Sequence, residues 1–283
     1  MKSFVKRMLP PKLLQLIVET KLEFRGRKNE RHYKGNAVLC PCCGKRFGKF
    51  MDYWFMDYIV SKATDNRERF AEDRHKNTIC PYCLSLPRHR IVCNHFENKK
   101  ELLPKNNIIM FGAERSIKKC FNRNGCRYKT ADLFNPTADF KVDIQNIQFP
   151  DESFGLIICN HVLQHVQDYK IALSELKRVL KNDGILELTV ATNRNLETVY
   201  EDPDIVSGED RNKHFGQHDY ARIFGNDFEK ILTEHGFLVE VVKGDNCPDE
   251  IIGVIGPGDQ DDNKVYICKK ASEVKAKGET NVD

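Results

Sequence analysis

Two cysteine pairs carry the most explicit chemistry in this sequence. Cys40-Pro41-Cys42-Cys43 and Cys80-Pro81-Tyr82-Cys83 are both C-P-x-C turns. A tight knuckle of this kind turns two thiolates to one side, and two knuckles supply four sulfurs for tetrahedral Zn²⁺ with bonds of ~2.3 Å. The preferred ligand set is Cys40, Cys43, Cys80 and Cys83. Cys42 is an alternative to Cys43, and Cys93 or His95 to a member of the second pair; unrelated buried cysteines are the plainer explanation. Thirty-six residues separate Cys43 from Cys80, more than the ~15–20 of a compact zinc site, so the stretch beginning FMDYWFMDYIV is expected to pack as an insertion. Four sulfurs close such a site. The metal would stabilise a small unit and leave no open position for activating water. Directly after the second knuckle, Arg88-His89-Arg90 could grip a phosphate of an acceptor or nucleic acid, since guanidinium forks match phosphate oxygens in pairs. A solvated turn is the alternative.

The second chemical signal lies at the ends of apolar strands. In FGLIICNHVLQHV (Phe154 to Val166) an apolar strand stops at Cys159 and turns through Asn160-His161 into the next element. An open α/β sheet binds its ligand there, outside the carboxyl ends of its strands. NNIIMF (106–111) reads as a first strand ending in Gly112-Ala113-Glu114, before a helix from Arg115 or Ser116. CRYKTADL (126–133) reads as a second and places Asp132 twenty residues after Gly112, the separation of a nucleotide-binding turn from a carboxylate that binds ribose hydroxyls. A third short strand ends at Asp143-Ile144. The helix YKIALSELKRVL follows the fourth, with Gly184 expected as its C′ residue, and ILELTV (185–190) is the fifth strand. A helix over 228–235 ended by Gly236, a strand over 237–242 and a strand KVYIC (264–268) come last. Alternating short apolar runs and amphipathic helices predict a mostly parallel α/β sheet with helices on both faces, preceded by a small zinc-binding module of four cysteines.

Size and charge set the rest of the frame. At 283 residues with 40% apolar and 30% charged side chains, the chain fits a globular α/β domain plus a smaller unit. The expected division is a basic amphipathic helix (1–28), a zinc-ribbon-like module (29–100), the α/β domain (101–270) and a disordered polar tail (271–283). In the first segment Leu14, Val18 and Leu22 recur at helical spacing after Pro10-Pro11. This stripe either docks onto the body or lies on an anionic membrane surface through Lys2, Lys6, Arg7 and Lys12. No apolar run is long enough to span a bilayer, and the basic N-terminus lacks the apolar region of a secretory signal. A cytoplasmic location is expected, where clustered CxxC pairs read as metal ligands in preference to disulfides. The net charge of +4 hides an asymmetry: residues 1–100 hold 22 Lys+Arg against 10 Asp+Glu, and the remainder 23 against 31. The basic third would suit an acidic partner such as RNA, a membrane surface or a phosphorylated carrier; a solvated basic surface is the plainer reading.

The run VDIQNIQFPDESFGLIICNHVLQHVQDYKIALSELKRVLKNDGILELTV resembles the class I S-adenosylmethionine-dependent methyltransferases, in particular the "methyltransferase type 11" group. DIQNIQF, FGL, HVLQHV and LSELKRVLKNDG follow that group's motifs in order, over about residues 106–270. Where the group's turn is G-x-G-x-G, this sequence has GAERS, and the group's FD is FG here. The resemblance implies a Rossmann-like seven-stranded sheet and S-adenosylmethionine as cofactor. Gly112, Ala113 and Glu114 would surround its methionine part, Asp132 its ribose, and Asp143 with Ile144 its adenine. Asn160 and His161 would line the cofactor and acceptor side. After the fifth strand, HFGQHDYARIFG (214–225) occupies the place of the group's acceptor element. His161, His214 and His218 are the catalytic candidates, with Asp219 nearby and His165 a competing base, because histidine can remove a proton from an acceptor hydroxyl or amine near neutral pH. Three functions follow: methyl transfer to a glycan or small-molecule acceptor, methyl transfer to RNA held by the basic zinc module, or a non-catalytic cofactor-binding or scaffold role.

Overall fold

The computed structural model describes residues 10–52, 77–253 and 264–271. Lys2, Lys6, Arg7, most of the FMDYWFMDYIV stretch and the tail expected to be disordered lie outside the described residues.

Helix α1 (Pro11–His32) leads into a hairpin, β1 (Val38–Cys40) and β2 (Lys45–Phe47), whose turn is the first cysteine knuckle. The second knuckle opens helix α2 (Pro87–Asn98). The α/β sequence then runs β3 (Ile108–Phe111), α3 (Arg115–Arg123), β4 (Tyr128–Asp132), β5 (Phe140–Lys141), β6 (Phe154–Asn160), α4 (Tyr169–Val179) and β7 (Leu180–Thr189). A connecting region follows, with β8 (Tyr200–Glu201), α5 (Gly208–Phe215) and β9 (Arg222–Ile223). The chain returns through α6 (Phe228–Glu234), β10 (Phe237–Val242), α7 (Asp249–Ile252) and β11 (Val265–Lys270). The seven-stranded sheet has the order β10-β11-β7-β6-β3-β4-β5. Its strands β5, β4, β3, β6 and β7 are parallel, and β11 runs against both of its neighbours. This is the mostly parallel, Rossmann-like sheet expected from the sequence.

The central strands read as continuous apolar runs because both faces are covered. Ile108, Met110, Leu156 and Ile158 pack on one face with α2, α3 and the knuckle cysteines Cys40, Cys80 and Cys83. Ile109, Phe111, Ile157 and Cys159 pack on the other with Leu173 and Leu176 of α4 and Phe228 and Leu232 of α6. The knuckles and the sheet therefore share one core.

One local expectation is corrected. Gly184 does not cap α4: the helix ends at Val179, and Leu180 already pairs with Phe154 at the start of β7. The next pair is Leu156 with Ile185, so Lys181 to Gly184 bulge out of the ladder. Gly184 sits tightly there, since a Cβ would come 2.8 Å from Leu180 Cδ1 and 3.0 Å from the Lys181 carbonyl oxygen. Helix α1 docks onto the body with part of its apolar stripe: Leu14, Ile17 and Leu22 are half-buried, while Leu13 and Val18 stay 43% and 44% exposed. A polar edge anchors the contact. Arg115 pairs with Glu19 (2.7 Å) and Glu23 (3.0 Å), Lys119 with Glu23 (2.9 Å), and Tyr82 donates its hydroxyl to Glu23. Gly26 lies against the Tyr82 carbonyl, where a Cβ would approach to 2.6 Å. Among the described residues no helix is long and apolar enough to cross a membrane.

Candidate active site and metal centre

The carboxyl ends of β3, β4, β5 and β6 bring the expected nucleotide-site residues to one edge of the sheet. Gly112 leaves β3 with φ +60, and a Cβ there would meet Val162 Cγ2 at 3.0 Å. Only glycine lets the turn and the tip of β6 approach this closely without strain. Asp132 ends β4, where its Oδ1 accepts from the N–H groups of Phe134 and Asn135, both at 2.8 Å. Oδ2 takes part in none of the hydrogen bonds among the described residues, so it is available to a ribose. Asp143 Oδ1 accepts from the Gln145 backbone at 2.9 Å and its side chain at 3.2 Å. The Ile144 side chain is buried in the core, so its backbone alone is left to meet an adenine.

The tip of β6 is more constrained than its sequence suggests. Asn160 is buried, and its amide lies 2.8 Å from Thr189 Oγ1 and, with its nitrogen turned inward, 2.9 and 3.2 Å from the Glu187 carboxylate. That side chain is anchored in the sheet. Burial pushes the Glu187 carboxyl well above its usual range, an acid marked in sequence only by its place within ILELTV. His161 holds a left-handed φ of +52 and donates its N–H to Thr189 O at 2.8 Å. Such backbone at a non-glycine residue costs energy and gathers at functional sites. Burial, and then the nearby Arg88 charge, hold His161 well below the usual histidine range, so its ring is neutral. The Gln164 amide donates to Nδ1 at 3.2 Å, so Nε2 carries the proton, in a buried position with no partner.

Beside the candidate histidines, this turn and the connecting region set Gln164, Tyr220 and Arg222, none of them named as a candidate from the sequence. Gln164 reaches the Tyr220 hydroxyl at 3.5 Å and keeps Oε1 buried without a partner. His165 Nδ1 lies 3.3 Å from Asp219 Oδ2 and its ring packs edge-on against Tyr220. Arg222, almost fully buried, donates to the carbonyls of Leu163 (2.9 Å), Val166 (2.5 Å) and Gln167 (2.7 Å) and pairs with Glu201 (2.7 Å). This residue staples the region carrying Tyr220 onto the β6 turn. Of the other two histidine candidates, His214 is exposed with Nδ1 2.7 Å from the Tyr200 hydroxyl, and His218 has 75% of its side chain in solvent. The Arg88-His89 pair, read as a phosphate grip, instead meets Glu114 Oε1 at 2.8 and 2.6 Å. Arg90 is fully buried and donates to four backbone carbonyls, those of Thr78, Ser85, Ile251 and Ile252.

On the covered face, one ligand atom from each of Cys40, Cys43, Cys80 and Cys83 lies within 4.8 Å of all the others. Two of the separations are 3.6 Å (Cys40 to Cys83) and 3.8 Å (Cys43 to Cys80). The edge of a tetrahedron with metal–sulfur bonds of ~2.3 Å is about 3.8 Å, so this set can hold a metal. Ser85 Oγ lies 3.2 Å from Cys40 Sγ, and the Cys83 N–H points to Cys80 Sγ at 3.5 Å. Such contacts to sulfur orient ligands of a tetrathiolate. Cys42 and Cys93 are buried in the adjacent core.

The residues also fit the donor cofactor. Glu114 Oε2, Arg88 Nε and His161 Nε2 are buried polar atoms without partners near the Gly112 turn, whereas nearly all such atoms in folded proteins are satisfied. Residues 117–188 match the family described as a methyltransferase domain. An uncharacterized protein of Methanocaldococcus jannaschii is 34% identical over 121 residues, which cover 40% of this chain and 52% of that protein. The chain thus spans about half the length of the curated relative it matches. Among solved structures, a 1,6-didemethyltoxoflavin-N1-methyltransferase from Burkholderia thailandensis is 12% identical, covers 77% of this chain and 87% of that one, with a TM-score of 0.45. The CurJ carbon methyltransferase is 20% identical and covers 65% of this chain and 54% of that one, at 0.44. The segment that matches the methyltransferase-domain family, residues 117–188, runs from α3 into β7, so the likeness falls on the part of the sheet that carries Asp132, Asp143, Asn160 and His161.

Proposed function

We propose that this chain is an S-adenosylmethionine-dependent methyltransferase acting on a small-molecule or glycan acceptor in the cytoplasm, with Zn²⁺ held structurally by Cys40, Cys43, Cys80 and Cys83. The observation that carries the reading is the convergence of Gly112, Asp132, Asp143 and His161 at one edge of the sheet, beside buried polar atoms that lack partners. The bound donor supplies an electrophilic methyl group on a sulfonium whose departure needs no protonation. What the chain contributes is alignment, from which most of the rate of such a transfer comes. Asp132 takes the ribose hydroxyls and the Asp143-Ile144 corner the adenine.

On the acceptor side, His161 is the group to bet on. Its neutral ring offers Nε2–H, which suits holding an acceptor oxygen by hydrogen bond with the lone pair left for the methyl group. His214, tied to Tyr200, and His218, in solvent, fit an outer rim. Gln164 and Tyr220 stand beside His161, the Gln164 amide 3.5 Å from the Tyr220 hydroxyl. The basic third lends the RNA reading less than its net charge suggests. Lys45, Arg46, Arg88 and Lys99 are paired with Glu30, Glu250, Glu114 and Glu240, and Arg90 is buried. The exposed apolar residues of α1 suit peripheral contact with an anionic membrane as a secondary role.

Calorimetry with S-adenosylhomocysteine tests the reading. Wild type binds one equivalent, and Asp132→Ala weakens binding by roughly tenfold or more, the worth of hydrogen bonds to a charged group. No detectable heat with wild type contradicts it.

A further inference from the structure

Helix α1 keeps one side turned away from the body, and its charges are sorted between the two sides. The helix holds three acids, Glu19, Glu23 and Glu30, against six Lys or Arg. All three acids serve the docked side: Glu19 and Glu23 pair with Arg115 and Lys119, and Glu30 pairs with Lys45 at 2.7 Å. Their spacing sets them, with Gly26, along one edge of the helix, and Gly26 is the residue that lies against the Tyr82 carbonyl. The outward side carries no acid. Leu13, Leu16 and Phe24 stand there 43%, 62% and 74% exposed, and Lys21, Arg27, Lys28 and Arg31 are exposed between and after them. The ten residues before the helix, MKSFVKRMLP, add three cations and no acid.

Large apolar side chains interleaved with cations narrow the choice of partner. A two-fold contact with a second copy brings the same patch to itself, which would set cations against cations. The core of a protein interface is depleted of lysine, and RNA phosphates gain nothing from exposed leucines. An anionic bilayer answers both halves of the pattern. The acyl boundary takes the apolar side chains, while headgroup phosphates take Lys and Arg, whose aliphatic stems let the charge rise from a helix lying in the surface plane. Among the described residues no helix is long and apolar enough to cross a membrane, so the contact lies in that plane.

We propose that the outward face of α1 docks on an anionic membrane surface, with Leu13, Leu16 and Phe24 entering the acyl boundary and Lys21, Lys28 and Arg31 holding lipid phosphates. This rests on the peripheral contact stated above for the exposed apolar residues, makes that contact selective for anionic lipid, and is independent of the donor site.

Sedimentation of the metal-loaded full chain with lipid vesicles tests the proposal. Vesicles of equal parts phosphatidylcholine and phosphatidylglycerol should bind wild type at least about tenfold more tightly than phosphatidylcholine alone at low salt, a preference that added salt diminishes. Leu16→Ser combined with Phe24→Ser should weaken binding to the anionic vesicles roughly tenfold, and Lys21→Glu combined with Lys28→Glu should abolish the preference for anionic lipid. These side chains are exposed, so the thermal midpoint of both variants should stay within about 2 °C of wild type. Equal binding to both kinds of vesicle would leave a peripheral contact but overturn its anionic selectivity. No binding to either would overturn the contact itself. Binding to anionic vesicles that neither variant changes would place the contact elsewhere and overturn the proposal, as would binding of bulk RNA in place of vesicles that Lys21→Glu with Lys28→Glu abolishes.

Discussion

Arg88 and Arg90 stand two residues apart on one helix and behave in opposite ways. Arg90 is fully buried, lies over the Phe50 ring at 4.0 Å and donates to four backbone carbonyls that join the second knuckle to the segment around α7. None of its nitrogens is left over among the unpartnered buried atoms. Arg88 makes one ion pair and keeps Nε buried and unused. The same contrast separates the regions they serve. Around the cysteines every sulfur of the four faces another, and nearby polar groups are turned inward to carbonyls and thiols. At the strand ends Glu114, His161 and Gln164 each hold a buried atom in reserve. Completed polar groups stabilise a fold; His95 Nε2 and Asp227 Oδ1 are unpartnered too, so it is the gathering of such atoms at the strand ends that suits a ligand.

That contrast predicts unequal consequences. The largest is metal loss. Protein purified without chelator should contain about one equivalent of zinc, and Cys80→Ser or exhaustive chelation should lower the thermal midpoint by roughly ten degrees or more, because folding and metal binding are one process in such knuckles. An unchanged midpoint would detach the knuckles from the shared core. Next is Arg90→Met, which strands four carbonyls and should cost at least about 3 kcal/mol, a fall of roughly 6–12 °C by thermal denaturation. Arg88→Met should shift the midpoint far less, within about 1 kcal/mol for a partly exposed pair. Similar losses from both would dissolve the distinction.

The remaining effect is on pH. His89 and His161 are held below the usual histidine range, chiefly by burial. The folded state therefore binds fewer protons than the unfolded state just below pH ~6.5, and stability falls as the pH drops through that window, by up to about 1.4 kcal/mol per pH unit for each ring. Glu114, lowered by His89 and Arg88 against its burial, keeps its contribution until the pH falls below the ordinary carboxylate range. The raised Glu187 carboxyl acts the other way over this range, because the folded state keeps its proton where the unfolded chain has lost it, so the histidines are read from the difference between wild type and a histidine variant. His161→Asn, whose side chain tolerates the left-handed backbone, should flatten the slope, and an unchanged slope would mean that His161 is charged in the folded state.

Local order was well marked in the sequence. The β3 turn, Asp132, the β6 run and the two C-P-x-C pairs are each written in a few adjacent residues, and each lies where its pattern implies. What escaped depends on partners distant in the chain. Nothing near Gly184 signals that Leu180 pairs with Phe154 and turns a helix cap into a strand bulge. The Leu14-Val18-Leu22 spacing could not reveal that α1 is anchored by Glu19 and Glu23, whose partners Arg115 and Lys119 lie far ahead in the chain. Arg88 and Arg90 read alike as surface cations, since only folding supplies Ile251 and Ile252 to one and Glu114 to the other. Gln164 lies in HVLQHV and Tyr220 in HFGQHDYARIFG, but neither run shows that the two meet across 56 positions.

The account is tested most directly by a structure of the zinc-loaded protein with S-adenosylhomocysteine bound. It predicts the ribose on Asp132, the adenine at Asp143 and the amino-acid end at the Gly112-Ala113-Glu114 turn, with the former methyl position opening toward His161. A ligand seated away from the β3 to β6 strand ends, or a site that stays empty at saturating ligand, would contradict it.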